Sequence, residues 1–207
     1  MTTPSNPSDE TQSRRFWRTL ILWALLALLV RWLVVEPRWI PSGSMLPTLQ
    51  LKDRILVEKI RPRISRQQHT SLPLGSIVVF SAPPQLVEAG YDPAAALIKR
   101  VVGRPGDQLA VRDGALIRNG EVLEEPWLPE PIGYTMDAVT VAPDQLWVMG
   151  DNRNTSLDSH LWGSLPLANV IGTAVWRYWP PVRFGPIRIS ANEKNGAMPE
   201  AALRSGP

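Results

Sequence analysis

Gln108-Leu109-Ala110-Val111-Arg112-Asp113-Gly114-Ala115-Leu116-Ile117-Arg118-Asn119-Gly120-Glu121-Val122-Leu123-Glu124 reads as a β-meander. Three short runs of strand-forming residues, Gln108–Arg112, Ala115–Arg118 and Glu121–Glu124, are separated by Asp113-Gly114 and Asn119-Gly120. A two-residue type I′ hairpin turn needs positive φ at both central positions, which Asn, Asp and Gly adopt at least cost. Outward from this stretch the pattern stays β. Arg54–Ile60, Ser76–Phe80, Gln145–Met149 and Val170–Trp179 are apolar or β-branched runs of strand length. The 21 prolines and 14 glycines fit a chain of many turns. No long amphipathic helix is visible after residue 40. The fold class is therefore mainly β, an antiparallel β-sheet domain. Two segments read as loops: the polar Arg61–Leu74, and Ser81–Ala96, either a surface insertion or a mobile segment beside a site.

The N-terminal part differs. Leu20–Val30 is unbroken apolar sequence. A bilayer needs about 20 residues, a length reached from Phe16 to Val35 if Arg18 and Arg31 snorkel to the headgroups. No small-x-small cleavage site comes after it, so the reading is one uncleaved transmembrane helix and not a removed leader. Arg14, Arg15 and Arg18 precede it and orient the N-terminus to the cytoplasm. The expected organisation is a disordered polar tail over 1–15, a membrane anchor over 16–35, a β-rich domain on the trans side over 36–189 and a disordered tail over 190–207. Trp176-Arg177-Tyr178-Trp179 fits either a lipid-facing surface or the core.

Composition removes several function classes. Without cysteine there is no disulfide, thiol catalysis or thiolate-bound zinc. The two histidines, His69 and His160, form no H-E-x-x-H, so no metal is expected. A net charge of +3 with scattered Lys and Arg argues against nucleic acid as a partner and for an anionic lipid bilayer.

Three blocks carry chemistry. Ser42-Gly43-Ser44-Met45-Leu46-Pro47 holds a serine in a turn, with Gly43 permitting unusual backbone angles and Pro47 stiffening the chain beyond it. Ala95-Ala96-Leu97-Ile98-Lys99-Arg100-Val101-Val102 sets a lysine in apolar, strand-like sequence. Gly150-Asp151-Asn152-Arg153-Asn154-Thr155-Ser156-Leu157-Asp158-Ser159 is a polar cluster. A serine hydroxyl needs a base to become a nucleophile, and burial can neutralise a lysine near pH 7. These are the parts of a Ser–Lys hydrolase.

Taken in this order behind an N-terminal anchor, the blocks resemble type I signal peptidases, membrane-bound serine endopeptidases. The similarity covers roughly Phe16 to Trp179. It implies cleavage of signal peptides from exported preproteins after an A-x-A-type site, with no cofactor. It implies Ser44 as nucleophile and Lys99 as general base. The Ser42 hydroxyl and the Ser44 N–H would form the oxyanion hole, and Ser156 would orient the lysine. Asp151, Asn152 and Arg153 would form a supporting network, with Asp158 paired to Arg100. An extended substrate is expected to add as a strand beside Ser76–Phe80 or Arg38–Pro41, with Ile40 and Ile98 as pocket walls. Asn154 and Thr155 are read as turn residues satisfying their own backbone. The expected location is a plasma membrane, or a thylakoid membrane.

Two departures from the family pattern stand out. Leu74-Gly75-Ser76 replaces an Arg-Gly-Asp, and Asp158-Ser159-His160 replaces an Asp-Ser-Arg. The second leaves Asp158 to Arg100 or to a protonated His160, and predicts lost activity at alkaline pH. The competing readings are a Ser44–His160–Asp hydrolase, a self-cleaving repressor and an inert tethered module.

Overall fold

The computed structural model describes residues 7–68 and 70–187. His69 and the tail expected over 190–207 lie outside them. In chain order the elements are α1 (Pro7–Leu33), β1 (Val35–Trp39), β2 (Arg54–Glu58), α2 (Ile60–Gln68), β3 (Ile77–Ser81), α3 (Pro84–Glu88), β4 (Ala96–Gly103), β5 (Gln108–Arg112), β6 (Ala115–Arg118), β7 (Glu121–Val122), β8 (Met136–Thr140), β9 (Gln145–Met149), α4 (Ser159–Trp162), β10 (Leu165–Pro166), β11 (Val170–Trp179) and β12 (Gly185–Pro186).

The expected meander forms. Asp113, Gly114, Asn119 and Gly120 all have positive φ, and β5, β6 and β7 pair in antiparallel sequence. With β8 they make a four-stranded sheet in the order β7-β6-β5-β8. The other strands form an eight-stranded sheet ordered β1-β2-β11-β3-β4-β9-β10, with β12 on β11. All its pairings are antiparallel, and β11 joins β2 to β3 across a long stretch of intervening sequence.

Burial explains the uniformly apolar β3. Val78 and Phe80 enter one core with Val101, Leu146 and Val148, while Ile77 and Val79 enter a second with Ile40, Met45 and Ile98. A strand covered on both faces has no polar side to alternate. A third core, including Val102, Leu109, Val111, Leu116 and Trp147, joins the two sheets. Gly103 sits there because a Cβ would meet Leu109 and Trp147. β3 pairs with β4 on one edge and β11 on the other, so no substrate strand can add beside Ser76–Phe80.

Three sequence expectations change. The polar tail over 1–15 is helical from Pro7 onward, and the helix stops at Leu33 because Val35 already pairs with Glu58 in β2. The loop over 61–74 contains α2. Pro62 falls in its first turn, where proline is tolerated, and Pro62 and Ser65 are buried. Glu58 accepts a bond from the Arg61 N–H, while Arg63 and Arg66 bond the Leu33 and Ala168 carbonyls. The 81–96 segment contains α3, with Leu86 buried in the first core, so it is anchored.

Side chains Arg14–Arg31 of α1 are exposed all round. Among the described residues no helix is long and apolar enough to cross a membrane. The aromatic run of β11 divides. Trp176 is half-buried against Phe184, whereas Trp179 is 49% exposed.

Candidate active site

The loop between β1 and β2 carries Ser42 and Ser44. It closes where the Ile40 N–H donates to the Asp53 carbonyl (2.9 Å) and the Lys52 N–H donates to the Ile40 carbonyl (2.8 Å). Met45 and Leu49 are fully buried and fix it to the second core. A turn at Ser44 is closed by the Leu46 N–H donating to the Gly43 carbonyl (3.1 Å). Gly43 is not left-handed; a Cβ there would come within 3.1 Å of Leu46. Space, not backbone angle, is its constraint. The Ser42 and Ser44 hydroxyls lie 3.4 Å apart.

The far end of the loop is held by charges that pattern reading passed over. Asp53, 1% exposed, pairs with Arg177 at 3.2 Å and Arg183 at 3.0 Å. Both arginines also donate to the Thr48 carbonyl, and Arg100 donates to its hydroxyl.

Lys99 is 5% exposed in β4, opposite Val78 of β3. Burial lowers its pKa to about 8, against an opposing pull from Asp158 and Asp151. The lysine makes no ion pair among the described residues. The β4–β9 register pairs Arg100 with Met149, and one further step sets Gly150 beside Lys99. A Cβ on Gly150 would overlap the Ser44 carbonyl and the Ser156 side chain. The Gly150 backbone is thus the shared neighbour of the three blocks. It is fixed by its N–H donating to Asp158 (2.8 Å) and its carbonyl accepting from Arg153 Nε (2.8 Å). The Asn152 N–H donates to the Ser44 carbonyl (3.1 Å) and its amide to the Gly43 carbonyl (3.3 Å), holding the serine turn from behind.

The partner expected for Arg100 needs correcting. Arg100 makes a bidentate pair with Asp151, with both bonds at 2.7 Å, donates to the Gly75 carbonyl and lies 4.3 Å from the Trp127 ring centroid. Alternation along β4 sends it to the face opposite Lys99, where Asp151 waits. Asp158 instead meets His160 Nδ1 at 2.6 Å. His160 stacks on Tyr134, with centroids 4.2 Å apart, and no bond joins it to Ser44 among the described residues. That arrangement lacks the serine–histidine contact a Ser–His–Asp hydrolase requires.

Arg153 pairs bidentately with Glu125. Burial opposes its charge, but Glu125, with Asp151 and Asp158, more than compensates and raises its pKa. Asn154 does not serve its own turn. It bonds the Gly133 N–H, Glu130 and the Pro131 carbonyl, fastening a distant loop. Ser156 Oγ is buried without a hydrogen-bond partner, so the expected bond to Lys99 is not made here. Ser76, which stands where the family pattern has an aspartate, also has an unpartnered buried hydroxyl. Glu125, Trp127, Asp53, Arg177 and Arg183 were not found from sequence. A lone acid or arginine in a loop gives no pattern until its partner is known.

Ile40 and Ile98 do come together. They line a cavity of about 170 Å³ with Ile55, Val79 and Ala96. Its rims are two strand edges: among the described residues β1 pairs only with β2, and Ala96–Ile98 of β4 pair only with β3. Among the described residues no group of three or more His, Cys, Asp or Glu side chains is placed to hold a metal.

The family described as Signal peptidase, peptidase S26, matches residues 13–179. The chain is 46% identical to a probable signal peptidase I-1 of Synechocystis over 80% of its length and 82% of that protein. It is 40% identical to a signal peptidase I of Leptolyngbya laminosa, covering 87% of each. It is 45% identical to a probable chloroplastic thylakoidal processing peptidase 2 of Arabidopsis thaliana, over 78% of this chain and 43% of that protein.

Proposed function

The chain belongs to the signal peptidase family, peptidase S26, with the activity of a signal peptidase I, and from that premise we propose that Ser44 and Lys99 are its catalytic dyad. The observation that carries the assignment is a buried lysine, its pKa brought down to about 8, set by register beside the glycine that Ser44 and Ser156 crowd.

In this reading neutral Lys99 accepts the Ser44 proton as Oγ bonds to the scissile carbonyl carbon. The Ser44 N–H and the Ser42 hydroxyl receive the developing oxyanion. The C–N bond then breaks and Lys99 returns the proton to the leaving amine. A water, deprotonated by Lys99, attacks the acyl carbon, the ester C–Oγ bond breaks, and Lys99 returns the proton to Ser44 Oγ. The buried, unpartnered Ser156 hydroxyl, packed against Gly150, supports the orienting role. Asn152, Arg153, Asp158 and the Arg100–Asp151 pair position these groups without touching substrate.

The substrate of this proposal is an exported preprotein cleaved after an A-x-A-type site. Its extended chain lies along the free edge at Arg38–Pro41, and the small cavity between Ile40 and Ile98 admits only small side chains. The helix α1 is proposed as the membrane anchor. Its apolar run Leu20–Val30 is exposed on every side, and Arg18 and Arg31 sit one helical turn or less from its ends, where their heads reach the phosphates. Such an enzyme sits in a bacterial or thylakoid membrane with its β domain on the trans side.

The test is cleavage of a precursor in detergent by the native chain, Ser44→Ala, Lys99→Ala and His160→Ala. Loss in the first two with most activity kept in the third is the expected result. Activity surviving Lys99→Ala would place the base elsewhere.

A further inference from the structure

The outer face of the eight-stranded sheet changes character along β1. One rung consists of Trp39, Arg54 and Trp179, aligned across β1, β2 and β11. Trp39 is 65% and Trp179 is 49% exposed, and the Arg54 guanidinium lies 5.9 Å from the Trp179 ring centroid. Exposed tryptophans flanking a cation are costly in plain water and at home at a membrane interface.

These residues line a cavity of about 740 Å³ with Lys52 and Arg38. Its single acid, Glu36, is occupied by Arg38 and by Lys59 at 3.6 Å. Lys52 and Arg54 have no carboxylate partner among the described residues, so the cavity carries a surplus of positive charge. Two register steps toward the helix, and so on the same face, Pro37 and Leu56 pair across β1 and β2. They wall a second, largely apolar groove of about 480 Å³, whose other wall is Trp23, Leu26 and Val30 of α1, with Arg31 at the helix end. Pro37 belongs to both cavities. An apolar groove beside a helix thus opens into a cationic, tryptophan-flanked pocket.

We propose that this continuous site binds one anionic phospholipid, its acyl chain in the groove against α1 and its phosphate headgroup between Lys52 and Arg54. Charge complementarity selects the headgroup, since a zwitterionic lipid would bring its own cation against the two unpaired ones. The apolar groove selects a lipid over a soluble phosphate. The proposal rests on α1 being the membrane anchor, and it adds a ligand that seats the β domain against that anchor.

The experiment is native mass spectrometry of the full chain in a nonionic detergent, offered phosphatidylglycerol and phosphatidylcholine of equal chain length. At about fivefold per basic residue, retention of phosphatidylglycerol should exceed that of phosphatidylcholine by about 30-fold. The double variant Lys52→Gln/Arg54→Gln should lose that preference while cleaving a soluble peptide at the native rate. Equal retention of both lipids by the native chain overturns the site. So does a double variant that keeps the preference, or displacement of the lipid by an equal concentration of glycerol phosphate. The anchor is tested separately by alkaline extraction of membranes. A chain that stays in the membrane yet shows no lipid preference overturns the headgroup site alone, whereas release from the membrane overturns the anchor and the site with it.

Discussion

The two faces of β4 treat a buried cation in opposite ways. On one face Arg100, 1% exposed, is given a bidentate carboxylate, a backbone carbonyl, a threonine hydroxyl and an aromatic ring. On the other face its neighbour Lys99, 5% exposed, is given no ion pair among the described residues. The carboxylates nearest in effect, Asp158 and Asp151, are already taken by His160 and Arg100. Arg100 is therefore held rigidly by its partners, whereas burial pushes Lys99 toward its neutral form. The arginine is locked in place by its partners, and the lysine, left without one at a cost in stability, is the base of the proposed mechanism.

The sharpest way to break this contrast is to remove Lys99 or Ser44. A general base contributes about 10²–10⁴-fold, and the two residues act as a unit. Lys99→Ala, Ser44→Ala and the double variant should therefore each lose at least about 10³ in kcat for precursor cleavage. The variants should all lose about the same amount.

Arg100→Met should cost stability, not merely rate. It leaves Asp151 buried and unpaired, a loss of about 3–5 kcal/mol, read as a lower denaturation midpoint in detergent. Lys99→Met should do the reverse. A folded pKa of about 8 against an unfolded 10.5 means the charged lysine costs roughly 3 kcal/mol at pH 7, at 1.36 kcal/mol per unit. The unfolded chain binds the extra proton only between those two values, so native stability should rise from about pH 8 to 10.5 and level off beyond. In Lys99→Met the protein should be more stable at pH 7 and that rise should vanish. A Lys99→Met chain less stable than native at pH 7 would end the contrast.

The same protonation sets the rate. In the proposed mechanism only neutral Lys99 accepts the Ser44 proton, so kcat/KM should climb about tenfold from pH 7 to 9, through about 8. The smallest effect is expected from His160→Arg. It exchanges the imidazole that Asp158 meets for a guanidinium, and the alkaline limb of the cleavage pH profile should shift. Identical alkaline limbs for the two proteins would remove His160 from the electrostatics of the site.

Local rules made the small sheet legible. Asp113-Gly114 and Asn119-Gly120 dictate their turns through φ, so β5 and β6 begin and end where the sequence says. The strand containing Lys99 was visible as apolar sequence, and Gln145–Met149 and Val170–Trp179 matched as strands. The helix α2 was hidden because its buried residues are a proline and a serine, which carry no hydrophobic period. β1 was hidden behind Pro37, and its partner β2 lies past the serine loop.

By itself the sequence determined the β class, the exposed apolar helix and the identities of the serine, the lysine and the polar block, because turn chemistry and apolar runs are properties of adjacent residues. Only the tertiary structure decided who pairs with whom. Arg100 finds Asp151 and not Asp158, Arg153 finds Glu125, and Asp53 finds Arg177 and Arg183. A buried ion pair depends on register between strands far apart in the chain. One step along β4 turns a side chain to the opposite face, and with it from a buried charge that is paired to one that burial pushes toward its neutral form.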